Sequence, residues 1–374
     1  MRRYLFSSHD GFGLGHTRRN ALVARAVLAE DPGAEVTLVT GLPVRPGWLG
    51  DPRLRVVHVP ALLKGSDGGY RNAGMTLEQA LAERSAVFRS VVEAERPDVV
   101  VVDRHPYGLA GELRDGLERA ARGGAALVLG LRDVLDESAT VRAELAGQGW
   151  AGVPQVFDEV VVYGDRGLCD HEAEYGLPVR PRYCGWVVEA APRRPRDPNL
   201  VVITAGGGGD GDAVFRLGAE ALARVPGRRG LLLAGPYATS TGLADLVRDP
   251  AVQGRLQLVR DVPGCVETLA EAGAVVQMAG YNATVEALAA GLRPILVPRR
   301  SPRREQAIRA ARLAGLGLAD VVDEDASPEE VAWLLARPRT LPAGALAASG
   351  VALDGASRAA RVLAALAGRR VVAA

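Results

Sequence analysis

What most constrains this chain is a rhythm that occurs twice. Short runs rich in Val, Leu and Ile alternate with longer Ala-, Leu- and Arg-rich stretches. In the first half the runs lie at 4–7, 36–40, 55–59, 99–102, 126–129 and 160–163, with 17–30 as the first helical stretch. The second set lies at 201–204, 230–233, 256–259, 274–277 and 294–297. Strands of a parallel sheet buried on both faces read this way, and the stretches between them are crossover helices. The expected fold class is α/β, with two Rossmann-like, doubly wound parallel-sheet domains facing an interdomain cleft.

Between the two sets lies Ala190-Ala191-Pro192-Arg193-Arg194-Pro195-Arg196-Asp197-Pro198-Asn199, dense in proline and charge, which reads as a linker. The expected division is 1–189 as an acceptor-side domain, 190–199 as linker and 200–355 as a donor-binding domain. The stretch 356–374 is expected as a final helix that packs on either domain, a crossing back to the first being one of the two outcomes. A length of 374 residues suffices for two cores.

With 45 basic and 44 acidic residues, no global field would hold a polyanion, and aromatic residues are too scarce for a base-stacking platform. Nucleic acid is therefore excluded as a partner. Cys169, Cys184 and Cys265 are widely separated and imply neither a disulfide framework nor a zinc site. The apolar patch after Arg2-Arg3 ends too early for a signal peptide, and no run is long enough to span a membrane. The expected location is the cytoplasm, as monomer or homodimer, with association of surface helices with lipid left open.

Two glycine-rich loops sit where strand passes to helix, the edge of a parallel sheet where ligands bind. The first is Ser7-Ser8-His9-Asp10-Gly11-Phe12-Gly13-Leu14-Gly15-His16-Thr17-Arg18-Arg19; the second contains Gly206, Gly207, Gly208 and Gly209. Glycines let backbone approach a phosphate, and amides at a helix start attract anions. Neither loop is followed by the Lys-Ser or Lys-Thr of a nucleoside-triphosphate loop, and the first lacks dinucleotide-fingerprint spacing. His16, near a positive helix end, is held neutral and can accept a proton. Of Arg18 and Arg19, one is expected to bind an anion and the other to lie on the surface. Asp103 and His105 follow one strand, Arg132 and Asp133 another; either aspartate can assist His16, position an acceptor, or be a satisfied loop carboxylate. Tyr107 is an acceptor-facing ring or a packed aromatic. Asp210 and Asp212 are read as helix caps in preference to magnesium ligands, so no metal is expected. The stretch 60–74, with Gly65, Gly68, Gly69 and Gly74, reads as a long loop.

Gly13-Leu14-Gly15-His16, the run Gly280-Tyr281-Asn282-Ala283-Thr284-Val285-Glu286-Ala287-Leu288-Ala289-Ala290-Gly291-Leu292-Arg293-Pro294, then Val297-Pro298 and Glu305-Gln306, together resemble the GT-B glycosyltransferases. The likeness is greatest to the branch that includes the lipid II N-acetylglucosaminyltransferase and covers most of the chain. It implies a nucleotide diphosphosugar donor, UDP-linked, bound mainly by the second domain, with no further cofactor. It also implies that Glu286 holds the ribose hydroxyls, that Glu305 and Gln306 reach the sugar, and that a histidine at position 16 is catalytic. Gly15, Gly206, Gly207, Gly208, Gly209, Gly280, Tyr281 and Asn282 would surround the diphosphate, and the 257–263 loop with Val262 would read the base. Asn282 and Glu286 lie one helical turn apart, so both can line one face. One departure is Cys184-Gly185-Trp186-Val187-Val188-Glu189, where an arginine of that branch has no match. With no apolar docking run in 62–72, this points to a small-molecule or soluble acceptor.

The expected reaction is inverting glycosyl transfer with His16 as base, aided by Asp103 or Asp133, while domain closure excludes water. Two alternatives stand beside it: nucleotide-sugar hydrolysis, with water in the acceptor's place, and a non-catalytic nucleotide-sugar-binding protein. A nucleotide-sugar epimerase is a further reading.

Overall fold

The computed structural model describes residues 1–9, 15–42, 51–64, 69–207, 209–235, 238, 242–260, 265–301 and 303–371. The chain divides into two compact units: Met1–Val187 together with Asp354–Ala374, and Val188–Leu353.

The first unit is built on strands β1 (Arg2–Ser7), β2 (Ala34–Thr40), β3 (Leu54–His58), β6 (Val99–Asp103), β7 (Ala126–Arg132), β8 (Glu159–Tyr163) and β9 (Arg182–Tyr183), with a small antiparallel ribbon of β4 (Leu63–Lys64) and β5 (Tyr70–Arg71). The seven strands run parallel in the order β3-β2-β1-β6-β7-β8-β9. Val99, Val100, Val101 and Val102 are all buried, as a central strand covered on both faces requires. The winding reverses between β1 and β6, so a crevice opens beyond their carboxyl ends. The 60–74 stretch, expected as loop, contains the ribbon; residues 65–68 lie outside the described residues.

The second unit has β10 (Asp197–Thr204), β11 (Arg229–Ala234), β12 (Leu256–Arg260), β13 (Ala272–Gln277), β14 (Ile295–Leu296) and β15 (Asp320–Val321), all parallel, in the order β12-β11-β10-β13-β14-β15. Its own core is formed by Val201, Ile203, Phe215, Leu232, Val276 and Ile295 among others. The reversal here falls between β10 and β13. Strand β10 begins at Asp197, inside the segment expected as linker.

The final helix, Gly355–Val371, belongs to the first unit and packs on the helix Gly15–Glu30. Ala359, Leu363 and Ala367, four residues apart, are buried along it, the spacing of one helix face. Its entry is tightly fitted: Gly355 N donates to Trp186 O at 3.0 Å, and a Cβ on Gly355 would stand 2.3 Å from Gly185 O. Among the described residues, no helix is long and apolar enough to cross a membrane.

Candidate active site

At the first reversal point, three residues of one helix converge on a single carboxylate. His16, Arg19 and Asn20 occupy positions i, i+3 and i+4 of the helix Gly15–Glu30 and so share a face. Asp103 ends β6, beside β1, and reaches that face. His16 Nδ1 lies 2.8 Å from Asp103 Oδ2, Arg19 Nη2 donates to Oδ1 at 2.7 Å, and Asn20 Nδ2 donates to Oδ2 at 3.3 Å. The helix start is tied to the sheet by Thr17, whose Oγ1 lies 3.3 Å from Ser8 Oγ and 3.0 Å from Thr40 Oγ1.

The turn after β6 aims Asp103. Arg104 has φ of 72°, one of two non-glycine residues in that region among those described. His105 N donates back to Asp103 O at 2.9 Å, which makes a γ-turn, a strained conformation. It is held open by an ion pair of Arg104 with Glu144 at 2.8 Å and by Arg104 N donating to Gly130 O.

Electrostatics fix the protonation states. Burial by itself would raise the pKa of Asp103, but Arg19 and His16 more than reverse this and hold its carboxyl far below the usual range. An ionised Asp103 only accepts, so His16 Nδ1 carries the proton and Nε2 keeps its lone pair. Burial pushes the His16 pKa down, Asp103 opposes it, and Arg19 and Arg132 add to the depression. The imidazole is therefore neutral at neutral pH. The rings of His9 and His16 meet edge to face at 5.2 Å, and those of His9 and His105 at 4.7 Å. Burial and repulsion from His105 and His16 hold His9 well below the ordinary histidine value. Ser8, His9, Asp103 and His105, with Tyr70 and Arg84, line a cavity of ≈ 10 Å³, room for about one water.

Of the two aspartates proposed beside His16, the one hydrogen-bonded to it is Asp103. Asp133 is buried after β7 against Gly164, where a Cβ would stand 2.7 Å from the Asp133 Cβ, and it acts electrostatically on His171. Neither Arg18 nor Arg19 is a surface residue, since both are buried; the anion that Arg19 binds is the chain's own Asp103. Tyr107 is packed, its hydroxyl donating to Ala151 O at 2.9 Å and Arg114 lying 3.6 Å over its ring. The grouping of Arg19 and Asn20 with His16 was missed in the sequence, although their helical spacing signals it.

At the second reversal point, the loop after β10 and the turn after β13 flank each other. Gly206 has φ of 66°, and its backbone comes so near the end of β11 that a Cβ on Gly235 would lie 2.2 Å from Gly206 O and 2.4 Å from Gly207 O. Only glycine fits there. Gly280 is the N-cap of the helix Tyr281–Ala289 and offers no capping side chain, a start suited to an external anion. Arg309, buried in the helix Glu305–Gly315, steadies this turn by donating from Nη1 to Ala279 O at 2.8 Å. Tyr281 and Glu286 are buried, and Glu286 follows Asn282 by one turn.

Arg299 gathers the remaining polar residues. Its Nη1 donates to Asp210 Oδ2 at 3.0 Å, its Nη2 to Glu305 Oε1 at 2.8 Å, and its backbone N to Gln306 Oε1 at 3.3 Å. Burial works against charge on Arg299, but Glu305 and Asp210 more than offset it. The capping role expected of Asp210 and Asp212 is corrected here. The N-cap of the helix Asp212–Ala223 is Gly211, without a side-chain cap, Asp212 is its first residue, and Asp210 pairs with Arg299. Gly209 lies in the loop turn; Gly208, Val262 and the Gly13-Leu14 part of the first loop lie outside the described residues.

The whole architecture recurs in solved structures. MurG of Acinetobacter baumannii is 15% identical, over 96% of this chain and 95% of its own, with a TM-score of 0.58. A calicheamicin glycosyltransferase, CalG4, is 20% identical over 99% of both chains, with a TM-score of 0.59. A UDP-glucosyltransferase from Polygonum tinctorium is 14% identical over 98% of both, with a TM-score of 0.65. The chain has the GT-B fold. No protein-family model and no curated protein sequence matches it. In this GT-B chain, each of the two sheets places a separate polar constellation at its own reversal point: a histidine–carboxylate pair in the first unit, and in the second a glycine cradle with an acid–arginine cluster in which Glu305 is buried and Asp210 exposed. At such identities the likeness is one of fold, and the chemistry rests on these residues.

Proposed function

We propose that this chain moves a sugar from a nucleotide diphosphosugar, UDP-linked, to a hydroxyl or amine of a small soluble acceptor in the cytoplasm. The observation that carries the reading is the 2.8 Å contact of His16 Nδ1 with Asp103, which leaves Nε2 of a neutral imidazole able to take a proton. A protein that only binds its ligand has no use for such a pair. The fold neighbours support the donor class, since one is by its title a UDP-glucosyltransferase.

In the reaction, His16 Nε2 removes the acceptor proton as the acceptor atom attacks the anomeric carbon, and Asp103 stabilises the imidazolium that forms. The bond to the diphosphate breaks on the opposite side. A single displacement of this kind inverts the anomeric centre. Charge growing on the diphosphate is met by amides of the Gly206 loop and of the helix start after Gly280, so the step needs no metal. Glu286 holds the ribose, and Gln306 with Glu305 meets the sugar once Arg299 yields.

The test is a binding screen of UDP-, GDP- and dTDP-sugars, followed by mass analysis of reactions supplied with cell extract as acceptor source. A sugar-bearing product that disappears in His16→Ala, with donor binding retained, is the expected outcome. Full turnover by His16→Ala would sink the assignment of the base. Hydrolysis, with water in the acceptor's place, is the second reading, and labelled water separates the two: hydrolysis puts solvent oxygen on the released sugar.

A further inference from the structure

Asp103 meets a cation as well as a histidine, and the pair alone does not account for it. The Arg19 and Asp103 side chains are 2% and 1% exposed, so their 2.7 Å contact is shielded from water, where a charge-assisted hydrogen bond is strong and directional. The Arg19 guanidinium is also held from behind: its central carbon lies 5.2 Å from the centre of the Tyr163 ring on β8, within cation–π range. That ring has its place because position 130 on β7 is glycine. A Cβ there would stand 2.9 Å from Tyr163 ring atoms. Gly130, Tyr163, Arg19, Asp103 and His16 thus form one packed series across three strands and a helix.

We propose that Arg19 is a positioning residue for the reaction: acting through Asp103, it holds His16 in the tautomer whose Nε2 is open to the acceptor proton. The carboxylate has two oxygens: Arg19 occupies Oδ1, while Oδ2 meets His16 Nδ1 and also accepts from Asn20, and the same Arg19 Nη2 lies 3.1 Å from His16 Nδ1. With the second oxygen engaged, Asp103 cannot rotate away from the imidazole. Arg19 also helps His16 hold the buried carboxyl ionised, as the acceptor that Nδ1 needs. The inference rests on the reading of His16 as the base.

The charged and titratable groups around His16 are Asp103 on β6, Arg19 on its own helix, Arg132 on β7 and His9 after β1. Removing the Arg19 cation leaves the Asp103 charge less compensated, so the imidazole must hold its proton to higher pH. The experiment is a nitrogen-15 NMR titration of His16 in the full chain, without donor or acceptor, for the parent, Arg19→Met and Arg19→Lys. Expected are an upward shift of the His16 midpoint in Arg19→Met and, in Arg19→Lys, which keeps charge without the planar fork, a rise of the Nε2–H tautomer. A midpoint unchanged or lowered in folded Arg19→Met overturns the proposal. If Arg19→Met does not fold, a parent-like tautomer ratio in Arg19→Lys overturns it instead. With substrates, Arg19→Lys should lose kcat on the order of 10²-fold at unchanged donor KM. A titration that moves while no sugar is transferred refutes the function and leaves the role of Arg19 standing.

Discussion

His16 takes its character from what lies on either side of it, so its behaviour with pH is a direct readout. The folded protein holds the imidazole neutral below the ordinary histidine value, and turnover should rise with pH along an acid limb centred below about 6.5. A kcat/KM profile checks this; a limb centred above that value contradicts the burial argument. Asp103→Asn should keep the fold of the turn yet lower kcat by about 10²–10⁴-fold, because an amide can present its N–H to Nδ1 and reverse the tautomer. Steady-state rates beside nucleotide titration separate this from lost binding. Both partners were visible in the sequence as polar residues following apolar runs. Their pairing was legible only as one of two alternatives, since the choice depends on β6 lying beside β1 and on the left-handed Arg104 that turns the chain after Asp103. Asp133 occupies an equivalent place after β7, which is why sequence could not choose between them.

At the scale of elements, close backbone approach decides more than side-chain chemistry. The Gly206 loop lies against the end of β11 only because Gly235 has no Cβ. Gly235→Ala should push the loop away and weaken UDP-sugar binding at least about tenfold, a loss of about 1.4 kcal/mol, measurable by calorimetric titration, while the His16 titration stays in place. The long buried strands were legible because parallel sheets demand continuous apolar runs. Strands Arg182–Tyr183 and Asp320–Val321 were not, since two residues carry no periodicity and their pairing is supplied by the sheet they join. The ion pairs of Arg299 were equally hidden: Asp210 lies 89 residues away in sequence, and the cap rule that favoured Asp210 for the next helix yields to a nearer cation.

At the scale of the whole molecule, the histidines held below their ordinary pKa lie in one unit. His9, His16 and His171 all belong to the first unit, and burial is the leading cause of the lowered pKa in each. Unfolded, each titrates near 6.5. As pH falls below that value the unfolded chain takes up protons that the folded one refuses, so stability declines until the folded midpoints are passed. Hydrogen exchange followed by mass spectrometry, at pH about 7.5 and about 5.5, should show first-unit peptides losing protection while those of Val188–Leu353 change little; uniform loss would refute this. Gly355→Ala should also weaken the first unit, by about 1–3 kcal/mol from overpacking, through the 2.3 Å approach to Gly185 O. That junction sets an order in time as well as in space. A ribosome delivers Val188–Leu353 complete before it delivers the helix that packs on Gly15–Glu30. The half with the glycine cradle can therefore close while the nascent chain still lacks the helix that secures its histidine.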